Sequence, residues 1–318
     1  MVSILVPVYN VAQFIEKCAR SLFEQTYDGE IEYIFVNDGS PDDSMRILNE
    51  VIRQYPHLRE KIHIINHEHN RGLAAARNTA VNASSGDFIL HVDSDDWLEK
   101  DAVKSLVDMA LKENADVVVS DFREVRKNGS HILKNEYSCN GHEYAKLLLR
   151  RKSLTHIIGK LIRRDLLVRN NLYAIEGLNQ GEDYLLTPKI AYFAKKISKV
   201  DAPIYNYNRT NVGSYTANVN AKGIENVIEV QNHLNSFFSS IKEKKEFSHT
   251  IAESSIYTKL TCFYCGPLSS YKRIAGIYPD IDWKKMELKG KQKLILTLAD
   301  MKLYKAAYSL IRLANKLS

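Results

Sequence analysis

The sequence predicts an α/β fold: a mostly parallel sheet flanked by helices, followed by a helical region. Two observations carry this. Short apolar runs rich in β-branched residues alternate with segments of helical period as far as residue 200, and strand signals cease after residue 220. A chain of 318 residues has room for two domains, here placed at 1–220 and 221–318.

Val2 to Val8 form the first run, bent by Pro7 and closed by Tyr9 and Asn10. Phe14, Ile15, Cys18, Leu22 and Phe23 then recur at helical spacing. Ile31 to Val36 supply a second strand. After it Ser40 is the expected N-cap of a helix, with Pro41 at its first position and Asp42 and Asp43 in its first turn. Ile62 to Ile65 make a third strand and residues 72–83 an alanine-rich helix. Phe88 to Val92 suit a buried central strand that stops at Asp93-Ser94-Asp95-Asp96, with a helix over about 101–113 and a strand over 116–120 beyond. Leu185, Leu186, Ile190 and Phe193 give helical periodicity behind Gly181-Glu182-Asp183. The helical region reads as 224–238, 251–263 and 293–317; in the last, Leu303, Ala306, Ala307, Leu310, Leu313, Ala314 and Leu317 share a face, with Lys302, Lys305, Arg312 and Lys316 mostly elsewhere.

An apolar fraction of 45% and a charged fraction of 26% allow a full core. The net charge of +6 belongs to the C-terminal third: residues 221–318 hold 16 Lys and Arg against 9 Asp and Glu, whereas 1–220 hold 28 against 29. No interleaved Arg and aromatic pattern accompanies that charge, so no nucleic-acid partner is expected. Cys262 and Cys265 form one Cys-x-x-Cys pair; a zinc site would need a second, and they read as packing residues. Met1 leads directly into a strand without a signal-like region, and no apolar stretch approaches the roughly 20 residues that span a bilayer. The expected location is cytoplasmic, with peripheral contact on the inner face of a membrane as an option. The last helix either packs on the rest of the protein or, being basic and amphipathic, rests on anionic lipid.

Asp93, Asp95 and Asp96 crowd one strand end, where they repel one another unless a cation sits among them. Hard oxygen ligands on a short loop suit Mg²⁺ or Mn²⁺, especially an ion that also holds a diphosphate. The alternative is an acidic turn capping a helix that begins near Leu98. Tyr9, Asp38, residues 70–77 and Asp93 to Asp96 all follow strand ends, so the fold gathers them along one rim. One nucleotide site accounts for that placement better than four separate caps.

Val-Pro-Val-Tyr-Asn at 6–10, Val-Asn-Asp-Gly-Ser at 36–40, Asn-Arg-Gly-Leu-Ala-Ala-Ala-Arg-Asn at 70–78 and Asp-Ser-Asp-Asp-Trp at 93–97 resemble, in order and spacing, the family 2 glycosyltransferases. The resemblance covers about the first 120 residues and implies a GT-A (Rossmann-like) domain, a nucleotide-sugar donor, expected to be a UDP-sugar, Mn²⁺ or Mg²⁺, and a glycan or lipid-linked acceptor. Pro7 and Tyr9 would clamp the base, and Asp38 would accept from the uracil imide N–H. Arg77 would reach a phosphate or pair with Asp93. Asp93 and Ser94 would meet the ribose or sugar, and Asp95 would be the principal metal ligand, with Asp93 beside it. Asp96 would serve the metal or the sugar hydroxyls, and Trp97 would either wall the sugar site or join the core.

By the same resemblance, Asp183 is the expected catalytic base of an inverting transfer, with Glu182 as neighbour or substitute, although two acids at a helix start are also explained by its dipole. Ile158 to Arg164 resembles a family stretch, often Trp-Asn-Lys-Leu-Tyr-Arg-Arg, from which His156 to Gly159 depart; Lys160 would face the phosphates or the acceptor, or lie solvated. Tyr205 to Arg209, with Ser214, resembles a loop that closes over the diphosphate, and Arg209 would stabilise the leaving group or lie on the surface. Two other classes compete: a nucleotide-sugar-binding protein of the same fold without turnover, and a nucleotidyltransferase. The latter wants a Gly-rich basic loop after the first strand, which Val-Pro-Val-Tyr-Asn lacks.

Overall fold

Seven consecutive buried residues, Val2–Val8, make β1 the spine of the sheet in a computed structural model that describes residues 1–211 and 221–316. β2 (Ile31–Asn37) and β4 (Phe88–His91) flank β1 in parallel, and β3 (Ile62–Asn66) extends the sheet beyond β2. Alternate β1 side chains Ile4, Val6 and Val8 share a core with Ile15, Cys18 and Leu22 of α1 (Ile15–Phe23) and with Val103 and Leu106 of α4 (Ala102–Glu113). α2 (Ser44–Ile52) joins that layer through Leu48 and Val51, while α3 (Leu73–Ala83) packs on β1 and β2. Ala74, Ala75 and Ala76 are fully buried, and side chains this small bring the α3 backbone close to the sheet.

The other half of the sheet is antiparallel in part. β8 (Leu161–Arg163) pairs antiparallel with both β4 and β6 (Val117–Arg126), and β9 (Ile197–Asn208) returns parallel to β6 with an irregularity around Asp121. β5 (Trp97–Leu98) pairs antiparallel with β9, and β7 (Gly129–Leu133) forms a hairpin with β6. The order is β3-β2-β1-β4-β8-β6-β9-β5. α5 (Gly141–Leu149), α6 (Arg164–Arg169) and α7 (Glu182–Phe193) complete this unit.

Several expectations change. The helix after β2 starts at Ser44, not at Pro41 behind a Ser40 cap; Ser40 Oγ instead accepts from the Asn10 amide at 2.8 Å and donates to Asp42 at 2.9 Å, tying the loops after β1 and β2 together. No helix begins near Leu98: Trp97 and Leu98 are strand, α4 starts at Ala102, and the acidic cluster therefore caps nothing. The capping alternative falls with that.

The chain divides into two compact units, Met1–Gly213 and Ser214–Ser318. The boundary expected at residue 220, and Ser214, lie outside the described residues. In the second unit α8 (Ala221–Ser240), α9 (Lys244–Cys265), α10 (Tyr271–Gly276), α11 (Gly290–Asp300) and α12 (Tyr304–Lys316) enclose their own core, which includes Ile256, Phe263, Tyr271, Ile295 and Ile311. The single helix expected over 293–317 is two helices, broken at Met301 to Leu303, where Lys302 takes a positive φ of 60°. Its buried side is also not the expected stripe: Ala307 and Ile311 are enclosed, whereas Leu303 and Leu313 are exposed, and the side chains of Ala314, Lys316 and Leu317 lie outside the described residues. No helix among the described residues is long and apolar enough to cross a membrane.

Candidate active site

Arg77 is the point on which the site converges. It lies on the buried side of α3, and its side chain is 3% exposed. One terminal nitrogen reaches Asp93 Oδ1 at 3.0 Å; the other reaches Glu182 Oε1 at 3.0 Å and also Asp183 Oδ1. The loop after β4 and the first turn of α7, about ninety residues apart in sequence, therefore meet on one guanidinium. Gly181 opens α7 in the left-handed region, at φ 88°, a conformation that suits glycine, and turns both acids toward Arg77. Burial and the adjacent Asp183 push the Glu182 carboxyl up to about 8, over the opposing pull of Arg77. The neighbouring acids outweigh burial at Arg77 and hold its guanidinium above the usual range.

The aspartates at 93, 95 and 96 take three different settings. Asp93 pairs with Arg77, and its side chain remains 28% exposed. Asp95 accepts from Asn211 Nδ2 at 2.8 Å, and burial, reinforced by the Asp93 charge, pushes its carboxyl up to about 6. Asp96 is buried and spent: Oδ2 accepts from the Tyr205 hydroxyl at 2.7 Å and Oδ1 from the Asn208 amide at 2.7 Å. In this arrangement Asp96 fastens β9 to the loop after β4. Ser94 is buried beside them.

Asp38 is likewise enclosed at 3% exposure. Its Oδ1 takes the Arg71 amide at 2.9 Å and His67 Nδ1 at 2.7 Å, and Oδ2 takes the Gly72 amide at 2.8 Å. Its first role here is to shape the loop before α3. Pro7 lies within β1 opposite Val36, and Tyr9 just beyond is 40% exposed, leaving its ring open on the rim. Trp97 is half-buried, and Lys17 Nζ sits 3.0 Å from its ring centroid. Lys160 is buried, not solvated; Nζ donates to the Leu154 and His156 carbonyls at 2.8 and 2.6 Å, and burial pushes it down to about 7. Arg209 lies at the sheet edge, 3.4 Å from Glu124 and 3.1 Å from the Tyr207 hydroxyl, so its charge answers Glu124 in this arrangement. Tyr205, Asn208 and Asn211 were not expected to contact the aspartates. The first two lie within a stretch whose resemblance pointed to Arg209; nothing in the sequence marked Asn211.

The chemistry of the donor set can be judged from these settings. Among the described residues no group of three His, Cys, Asp or Glu stands ready to hold a metal ion. Asp93 and Asp95 nevertheless offer hard oxygen atoms on one short loop, and burial, reinforced by the Asp93 charge, disfavours a bare charge on Asp95. Two carboxylates fit a Mg²⁺ or Mn²⁺ ion that completes its shell with water and substrate phosphates.

The sequence pattern described as glycosyl transferase family 2 matches residues 3–169. Over 213 residues the chain is 35% identical to EpsH of Bacillus subtilis, in an alignment covering 65% of this chain and 60% of EpsH. The chain thus spans less than two thirds of that relative's length. TarS of S. aureus (residues 1–349) in complex with UDP-GlcNAc superposes with a TM-score of 0.75 at 20% identity, over 99% of this chain and 91% of that one. The mannosyltransferase PcManGT of Pyrobaculum calidifontis, with GDP-Man and Mn²⁺, superposes at 0.59 and 17% identity over 98% and 84%. These likenesses show the GT-A fold, whose mixed sheet has an antiparallel strand between the two parallel parts.

Proposed function

The chain belongs to glycosyl transferase family 2, and from that membership we propose that it moves a sugar from a nucleotide donor, a UDP-sugar, to a hydroxyl of a glycan or lipid-linked acceptor with inversion. The convergence of Asp93, Glu182 and Asp183 on Arg77 carries this reading, because a donor-side acid and a helix-start acid held on one guanidinium would both come within reach of one bound sugar. Tyr9 would lie against the base, with the β1 backbone at Pro7 and one lone pair of Asp38 completing the clamp. Asp93 and Ser94 would meet the ribose. Asp95, with Asp93, would hold Mn²⁺ or Mg²⁺, which when bound neutralises the diphosphate. TarS with UDP-GlcNAc and PcManGT with GDP-Man and Mn²⁺ support donor class and ion by likeness of fold.

Asp183 would take the proton of the acceptor hydroxyl as its oxygen bonds to the anomeric carbon and the bond to the diphosphate oxygen breaks, inverting that carbon. Burial and the adjacent Asp183 favour the protonated form of Glu182, which would leave the charge of Arg77 to Asp93 and Asp183. UDP release from a panel of UDP-sugars, with Mn²⁺ and with EDTA, tests the reading. Metal-dependent release supports it; donor binding without release would favour a silent binding protein. Asp183→Asn should lower turnover about 10²-fold or more while leaving UDP affinity nearly intact, and a variant retaining more than a few per cent would remove Asp183 as the base.

A peripheral membrane contact belongs to the same reading. Leu294, Met301, Leu303 and Leu313 are 47–62% exposed, and residues 289–313 carry six Lys and Arg against one acid. Exposed apolar side chains among an excess of Lys and Arg suit an anionic bilayer. Leu303→Asp with Leu313→Asp should abolish co-sedimentation with phosphatidylglycerol vesicles; undiminished binding would reject this surface.

A further inference from the structure

The segment from Leu154 to Lys160 is fixed from beneath and from one side. The Lys160 ammonium grips the carbonyls of Leu154 and His156. Thr187 Oγ1 lies 3.0 Å from the Thr155 carbonyl and 2.9 Å from the Asp183 carbonyl, so one hydroxyl ties residue 155 to the helix turn that carries the proposed base. The His156 ring fills the gap between Phe122, at 5.8 Å between centroids, and Tyr207, at 5.3 Å.

For packing alone, histidine is a poor choice there. Its Nδ1 is buried without a partner, and a buried polar atom left unpaired costs about 1–3 kcal/mol. Phenylalanine would fill the same gap between two aromatic rings at no such cost. His91 in β4 bears the same kind of cost with both ring nitrogens enclosed, so the unpaired Nδ1 alone assigns no role; what sets His156 apart is its other nitrogen. The residue as a whole is only half-buried, and Nε2 is not among the enclosed, unpartnered atoms, which leaves it as the open edge of the ring. Burial lowers the imidazole's pKa and favours its neutral form, with the charge of Asp183 opposing, and the Thr187 hydroxyl holds the preceding residue next to the turn that carries Asp183. A neutral imidazole can donate from one nitrogen and accept at the other.

We propose that His156 is an acceptor-binding residue: its open edge hydrogen-bonds a hydroxyl of the incoming glycan and holds that glycan against Asp183. This rests on the sugar-transfer reading of the site. It assigns a glycan-binding contact to the stretch where the sequence departs from the family's usual form.

The test uses the full chain with Mn²⁺ and the UDP-sugar giving the fastest UDP release, and methyl β-D-glycosides as soluble acceptors competing with water. In His156→Phe the ratio of transfer to hydrolysis should fall about tenfold, the worth of one hydrogen bond, with the melting temperature unchanged or raised. His156→Gln, which restores a neutral donor and acceptor, should recover part of the ratio. In parallel, the His156 ring ¹⁵N signal of the wild type with Mg²⁺ and UDP should shift saturably as glycoside is added. An unchanged ratio in His156→Phe, or a ring signal indifferent to every glycoside, overturns the proposal. A wild type that releases no UDP from any UDP-sugar removes the reading beneath it, and the proposal goes too, so the two failures are distinguishable.

Discussion

Asp95 and Arg77 make opposite electrostatic demands, and each yields a prediction. The Asp95 carboxyl is pushed up to about 6, above the roughly 3.9 of an unfolded chain, so ionising it costs stability that is lost as pH rises between those values. Asp95→Asn removes that cost and can still accept from Asn211. The variant should therefore melt higher than wild type at pH 7.5 without metal, yet lose both turnover and the thermal shift given by Mn²⁺ with UDP. A lower melting point would contradict the burial argument; a retained shift would exclude Asp95 as a ligand. Arg77 is the reverse case, a buried cation whose removal leaves Asp93 and Asp183 uncompensated. Arg77→Met should destabilise by roughly 3–5 kcal/mol in urea unfolding. Arg77→Lys should recover only part of this, because one ammonium cannot reproduce a fork that spans three acids.

At the scale of elements, β9 decides which aspartate is spent on the fold. The Tyr205 hydroxyl donates to Asp96 and accepts from the Asp93 amide at 3.1 Å, so one phenol latches the strand to the acidic loop. Tyr205→Phe keeps the ring packed 5.0 Å from Phe122 but leaves two buried groups short of a partner. It should cost roughly 1–3 kcal/mol and raise the donor KM, whereas Tyr207→Phe, whose hydroxyl meets Arg209 at the surface, should change stability by less than about 0.5 kcal/mol. The latch also explains what could be read from the chain alone. β1, β2 and β4 are mostly apolar runs, interrupted by Ser3 and Glu32 and closed in β4 by His91, with the polar site residues immediately downstream, so the parallel half and its rim were legible. β8 is three residues long and β5 two, too short to show a period, and their pairings are long-range. Adjacent aspartates are chemically alike in sequence. Only the turn of the chain into β5 separates Asp95, facing the rim, from Asp96, spent on β9. The meeting of Arg77 with Glu182 and Asp183 likewise depends on α7 packing that no local pattern encodes.

For the whole molecule, buried titrating groups should set an unusual dependence of stability on pH. Glu182 is pushed up to about 8, against about 4.3 unfolded, so the native state keeps a proton that the unfolded chain releases, and stability falls as pH rises across that window. Lys160 is pushed down to about 7, against about 10.4 unfolded. There the unfolded chain holds the extra proton, and stability rises with pH from about 7 to 10.4. With Asp95 adding to the acidic limb, the opposing slopes place a trough in thermal stability near pH 7 to 8, where many proteins have a plateau. Glu182→Gln should flatten the acidic limb and leave the alkaline one, and Lys160→Met should do the converse. Melting curves from pH 5 to 10 on the three proteins measure this directly. A wild-type maximum at neutrality, or an acidic limb unchanged in Glu182→Gln, would mean that Glu182 is ionised in the folded state and that Arg77 faces three charges, not two.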